Sequence, residues 1–107
     1  MKEITRAGLA EALFSRQPPI VVEALPRRNY DAGHIPTARP LPMDELARLA
    51  PELAPDKEAA IVVYCSGPTC RNSHQAAEFL AGHGYRNVAV FTGGKADWVD
   101  GGLRLDP

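Results

Sequence analysis

The sequence predicts an α/β domain in which a small parallel β-sheet carries helices on both faces. Three observations lead there. The run Ala60-Ile61-Val62-Val63-Tyr64 is apolar and β-branched with no polar alternation, as in strands buried on both faces. Val88-Ala89-Val90-Phe91 is a second run of the same kind. Segments with helical spacing lie around both, so strand and helix alternate along the chain in the manner of βαβ units. A length of 107 residues suits one domain over positions 1–107.

The elements follow in order. Thr5 is placed to cap a helix running to about Arg16, with Leu9, Ala12 and Leu13 on one face. Ile4 before that cap and Leu9 beyond it form a hydrophobic staple. Pro18-Pro19 ends the helix, Ile20-Val21-Val22 reads as a short strand, and a polar connection runs from Pro26 to Asp31. Asp44 and Glu45 favour a helix start, and Leu46, Leu49, Ala50 and Leu53 follow at i, i+3, i+4 and i+7 before Pro55-Asp56. After the strand 60–64 come the loop Cys65 to Arg71 and a helix from about Asn72 to His83, with Ala76, Ala77 and Leu80 inward. Gly84 is its left-handed cap. The strand 88–91 leads through Gly93-Gly94 into a last short helix, about Ala96 to Asp100.

Composition narrows the functional classes. Apolar residues make up 45% and charged residues 23%, which excludes a disordered or fibrous chain. Twelve basic and thirteen acidic side chains give a formal charge of −1, so neither nucleic acid nor an anionic membrane surface is an expected partner. The longest apolar run, Ala59 to Cys65, is too short to span a bilayer. Met1-Lys2-Glu3-Ile4 places a charge pair where a leader needs an apolar core, so a cytoplasmic location is expected. A monomer is the default, since no long apolar stripe marks the surface. Two cysteines are too few for a disulfide framework, and in a reducing compartment such a pair is more often catalytic, redox-active or metal-binding.

Cys65 is the first residue after the most apolar strand, where ligands of open α/β sheets collect. The loop Ser66-Gly67-Pro68-Thr69-Cys70-Arg71 can curl its N–H groups toward one centre at a helix start, making an anion-binding nest of substrate-binding residues. Such a field predicts a Cys65 pKa below the about 8.5 of a free thiol, hence a nucleophile. The competing reading is a small buried apolar residue. Cys65, Cys70 and His74 form C-x4-C-x3-H but lack a fourth zinc ligand, so no metal and no cofactor are expected. His34 reads as fixing its own turn through hydrogen bonds and His83 as an exposed helix end. Trp98 and Tyr85 read as core or rim aromatics.

Three separated blocks complete the picture: Tyr30-Asp31-Ala32-Gly33-His34-Ile35-Pro36; Val62-Val63-Tyr64-Cys65 with its loop, Ser73 and Ala76-Ala77; and Gly84-Tyr85-Arg86-Asn87-Val88 with Gly93-Gly94 and Trp98. In this order and spacing the chain resembles the rhodanese family of sulfurtransferases over nearly its whole length. The resemblance implies a transferase in which Cys65 attacks the outer sulfur of thiosulfate or a related small anion. A persulfide then passes sulfur to a thiol, to cyanide or to an acceptor protein, and Arg71 offers charge to the donor. Cys70 is either a resolving or protecting thiol, or a loop filler.

Differences from the family pattern open alternatives. The family's acid-x-arginine after the first strand is Glu23-Ala24-Leu25 here, with Arg27 and Arg28 as candidate substitutes. The family glycine after "GHIP" is Thr37. The loop is C-x5-R, which resembles cysteine phosphatases and arsenate reductases, including phosphatases of the rhodanese fold. Asp31 is the nearest candidate for the general acid such chemistry needs. A third reading is a sulfur-carrying or binding module without turnover.

Overall fold

Five parallel strands form one sheet: β1 (Lys2–Glu3), β2 (Ile20–Glu23), β3 (Arg39–Pro40), β4 (Ala60–Tyr64) and β5 (Asn87–Phe91), in the spatial order β1-β5-β4-β2-β3. This is a computed structural model, and it describes residues 2–107. Met1, part of the leader reading, lies outside the described residues. Between the strands run α1 (Arg6–Leu13), α2 (Arg27–Asp31), α3 (Leu46–Leu53), α4 (Asn72–Gly82) and α5 (Gly94–Asp100).

The apolar strands separate two cores, because successive side chains point to opposite faces. On one face Val22, Ile61, Val63, Val88 and Val90 pack against Leu46 and Ala50 of α3 and Ala76, Ala77 and Leu80 of α4. On the other, Val21, Val62, Tyr64 and Phe91 pack against Leu9 of α1 and Trp98 of α5. The parallel register sets Glu23 beside Tyr64 and Tyr64 beside Phe91, so the strands end level at the rim where Cys65 begins the loop. Among the described residues no helix is long and apolar enough to cross a membrane.

Several predicted elements change in detail. Thr5 caps α1, its hydroxyl accepting from the Gly8 amide at 3.0 Å. The helix nevertheless stops at Leu13 rather than Arg16. The amides of Phe14 and Ser15 bond three residues back, and the Ser15 hydroxyl donates to Ala12 O at 2.7 Å. Such local bonds compete with the helical ladder. The connection from Pro26 to Asp31 contains α2, whose entry Pro26 fixes at φ −56°. β1 and β3 were not predicted, because two-residue strands leave no periodic pattern. Gly84 takes φ +93° after α4, as its capping role requires. Thr37 sits at φ +72°, a backbone region strained for a β-branched residue, which accounts for the family glycine there.

Candidate active site

The rim of β4 joins two unlike groups of polar atoms, one on each side of the sheet. On the α4 side lie the sulfurs. Cys65 Sγ is 3.4 Å from Cys70 O and 3.4 Å from the Ser73 hydroxyl. Cys65 is 1% exposed, whereas Cys70 is half-buried. The Cys65 thiol therefore lies against the main chain of Cys70. Helix α4 starts without a side-chain cap, so the free N–H groups of its first turn need partners. This first turn begins beside both sulfurs, and the backbone of Ser73 pulls Cys65 down while that of Asn72 pulls Cys70 down.

This geometry overturns the predicted acidity of Cys65. Burial pushes the Cys65 thiol up, and the neighbouring Cys70 thiol adds to the rise, outweighing the Ser73 hydroxyl and amide. Burial also raises Cys70, but the Cys65 thiol, the amides of Asn72 and Ser66 and the Ser66 hydroxyl together bring it below the ordinary thiol value. The cause is positional. Cys65 continues a buried strand beneath the loop, whereas Cys70 lies in the loop itself and is half-buried. The two thiols therefore lie on opposite sides of the ordinary thiol value.

The remaining loop residues divide between frame and surface. A Gly67 O to Cys70 N bond of 3.1 Å closes the turn, and Gly67 is buried. Ser66, Pro68, Thr69 and Arg71 are exposed, and Arg71 forms no ion pair among the described residues. The start of α5 holds the loop from beneath, with Lys95 N donating to Cys65 O at 3.0 Å and Ala96 N to Ser66 O at 2.9 Å. A side chain at Gly94 (φ +63°) would put its Cβ 2.5 Å from Cys65 O, so only glycine allows this approach. Asn72 Nδ2 donates to Ala24 O at 2.9 Å, fastening the helix start to the end of β2.

On the α5 side lies a cluster that the sequence reading missed. Glu23 is 0% exposed, and its Oε1 accepts from the Tyr64 hydroxyl at 2.7 Å and faces Lys95 Nζ at 3.1 Å. Lys95 also donates to Asn29 O at 2.6 Å, and Tyr64 Oη accepts from Ile35 N at 3.0 Å. Glu23 Oε2 has no hydrogen-bond partner among the described residues. Burial, then the Glu23 charge and hydrogen bond, push the Tyr64 hydroxyl far up, so it stays protonated. Neither Arg27 nor Arg28 serves as the substitute cation; Arg27 instead meets Glu45 at 3.3 Å on the surface. The available signal was an acid ending an apolar strand, which demands a partner in the fold.

Other sequence candidates fall as follows. His34 stacks on Tyr30 with ring centroids 3.9 Å apart, its Nδ1 is 3.1 Å from Tyr30 O, and its backbone pairs with Asp106. It holds its own turn, as expected. Asp31 is exposed. His83 is also exposed and stacks on Phe79. Trp98 is buried edge-on to Phe91 and Tyr85 is buried with its hydroxyl on Ala54 O, so both are core aromatics. Among the described residues no three His, Cys, Asp or Glu side chains gather to hold a metal ion. A concavity of about 750 Å³ lies at the opposite end of the sheet among Lys2, Ala60, Asn87 and their neighbours, and neither thiol lines it.

Comparison with known proteins agrees with this architecture. The Rhodanese-like domain model matches residues 6–100. The HTH-type transcriptional regulator Rv0324 of Mycobacterium tuberculosis is 35% identical over 103 residues, covering 96% of this chain and 44% of the regulator. The chain spans less than half the length of the curated relatives it matches. The BH2092 protein of Bacillus halodurans superposes with a TM-score of 0.87 at 27% identity, covering 98% of this chain and 76% of that one. A rhodanese with anions from E. coli superposes at 0.66 with 29% identity, covering 74% and 89%. With the parallel sheet, the three sequence blocks and a family match over most of its length, the chain belongs to the rhodanese-like domain family.

Proposed function

We propose that this domain is a sulfurtransferase that moves a sulfane sulfur from thiosulfate, or a related small anion, to a thiol or cyanide acceptor through a persulfide on Cys65. The observation that carries the reading is the place of Cys65 at the end of β4, its Sγ 3.4 Å from the Ser73 hydroxyl in the first turn of α4, a helix start without a side-chain cap. Cys65 passes its proton to the neighbouring Cys70 thiolate. The resulting Cys65 thiolate attacks the outer sulfur of the donor, forming an S–S bond as the donor's S–S bond breaks and sulfite leaves. The uncapped N–H groups at the start of α4 are then available to the persulfide anion, much as an oxyanion hole serves its intermediate. The acceptor attacks the outer sulfur and returns Cys65 as thiolate.

The same features weigh against phosphate or arsenate chemistry. Arg71, the cation such chemistry would use, and Asp31, its candidate general acid, are both exposed. A second reading, a sulfur-carrying module without turnover, draws support from the likeness to a transcriptional regulator and from the burial of Cys65. Intact-mass spectrometry after thiosulfate should show one added sulfur, and cyanide should then be turned over. Cys65→Ser should lower turnover by about 10³-fold or more, the loss expected on removing a nucleophile. Sulfur gain without turnover selects the carrier reading. Hydrolysis of an aryl phosphate with no sulfur gain replaces the proposal.

A further inference from the structure

Two cysteines side by side at the strand end, one buried with its Sγ 3.4 Å from the other's carbonyl oxygen and one half-exposed, are more than a single sulfur acceptor requires. We propose that Cys70 resolves a persulfide on Cys65: its sulfur attacks Cys65 Sγ, displaces hydrosulfide and closes a Cys65–Cys70 disulfide. This deepens the sulfurtransferase reading and rests on its persulfide. The step balances as Cys70–SH plus Cys65–S–S⁻ giving Cys65–S–S–Cys70 plus HS⁻. The Cys70 proton leaves with the outer sulfur. The bond between Cys65 Sγ and that sulfur breaks while the Sγ–Sγ bond forms. The two cysteines are thereby oxidised, and the sulfane sulfur is reduced to sulfide. A dithiol reductant returns the pair to thiols.

Position and chemistry agree on which sulfur Cys70 attacks. Cys65 Sγ lies directly against Cys70, 3.4 Å from its carbonyl oxygen. Attack there expels hydrosulfide, a weaker base than an ordinary thiolate. Attack on the outer sulfur would instead expel Cys65 thiolate from a buried site that raises its basicity, and the more basic sulfur leaves more slowly. Cys70 passes its proton to the outer sulfur and attacks as the thiolate, a state favoured by the backbone of Asn72 and Ser66 and by the Ser66 hydroxyl, which help bring it below the ordinary thiol value. Half-exposure of Cys70 gives the released hydrosulfide and the later reductant a way in. A domain built this way converts sulfane sulfur into a disulfide state that outlasts the sulfur donor.

The test uses the reduced full chain with oxygen excluded, loaded briefly with inorganic polysulfide, so that thiosulfate turnover is not needed. Wild type should end two hydrogens lighter, with the disulfide mapped to Cys65–Cys70 and reversed by dithiothreitol. Cys70→Ser should instead retain one extra sulfur on Cys65 and release hydrosulfide at least about tenfold more slowly. Wild type that holds a stable persulfide overturns the proposal, as does Cys70→Ser losing its sulfur as fast as wild type or failure of either chain to take up sulfur. Disulfide formation without thiosulfate–cyanide turnover keeps the proposal and removes the sulfurtransferase reading. Turnover with no disulfide does the reverse.

Discussion

The two sides of the β4 rim hold negative charge by different means. On the α4 side backbone and hydroxyl groups help bring the Cys70 thiol below its ordinary value, and Cys65 Sγ lies 3.4 Å from the Ser73 hydroxyl. On the α5 side a fully buried carboxylate meets an ammonium and a phenol, with Lys95 only 16% exposed. Fixed dipoles lower a thiol's pKa while leaving its lone pairs open to attack. A close counter-ion with a hydrogen-bonded phenol fixes its carboxylate and makes it structural. The sides are joined through one residue, since Lys95 gives its ammonium to Glu23 and its amide to Cys65 O. The closed side thus positions the reactive one.

The largest test of that contrast removes the cation. Lys95→Met should destabilise the domain by about 3–5 kcal/mol, because the buried Glu23 carboxylate loses its cation and keeps Tyr64 as its one hydrogen-bond donor among the described residues. Adding Glu23→Gln should restore most of the loss, since no uncompensated charge then remains. Urea denaturation of the two variants measures both. If Lys95→Met costs under about 1 kcal/mol, the pair behaves like a surface bridge and the contrast fails.

The reactive side is tested by the order of alkylation. Cys70 lies below the ordinary thiol value and Cys65 above it, so raising the pH should ionise Cys70 first. Iodoacetamide should therefore label Cys70 at least about tenfold faster than Cys65 near neutrality, since only the thiolate reacts. Peptide mass spectrometry across pH values reads the two rates. Cys65 labelled first would return the lower pKa to the position that sequence alone favoured.

Much of this arrangement was legible in the sequence, for physical reasons that differ by element. The β-branched runs 60–64 and 88–91 reveal the buried strands because burial on both faces tolerates no polar residue. Thr5 and Gly84 mark helix ends because each answers a local backbone need. Cys65 marks the rim by following the central strand. What stayed hidden depends on folding. No spacing rule brings Lys95 to Glu23, because their contact exists only after β2, β4 and the start of α5 assemble. Nor does the loop sequence say which thiol has the lower pKa. That depends on where the strand ends and how the turn at Gly67–Cys70 closes.

The smallest test relaxes the closed side and leaves the sulfurs untouched. Thr37 lies at φ +72° in the turn after Ile35, whose amide binds Tyr64 Oη. A left-handed backbone costs a side-chain-bearing residue about 1–2 kcal/mol. Glycine avoids that cost but gives up about 0.5–1 kcal/mol of entropy on folding. Thr37→Gly should therefore stabilise the domain by about 0.5–1 kcal/mol, a rise of about 2–8 °C in Tm for a chain of this size. The alkylation ratio of Cys70 to Cys65 should stay at its wild-type value, because Thr37 touches neither sulfur nor the amides around them. A lower Tm would mean the Thr37 side chain contributes more than its backbone strain removes. A changed alkylation ratio would mean that the two sides of β4 respond as one unit, and that the acidity of Cys70 depends on the closed cluster as well as on the amides beside it.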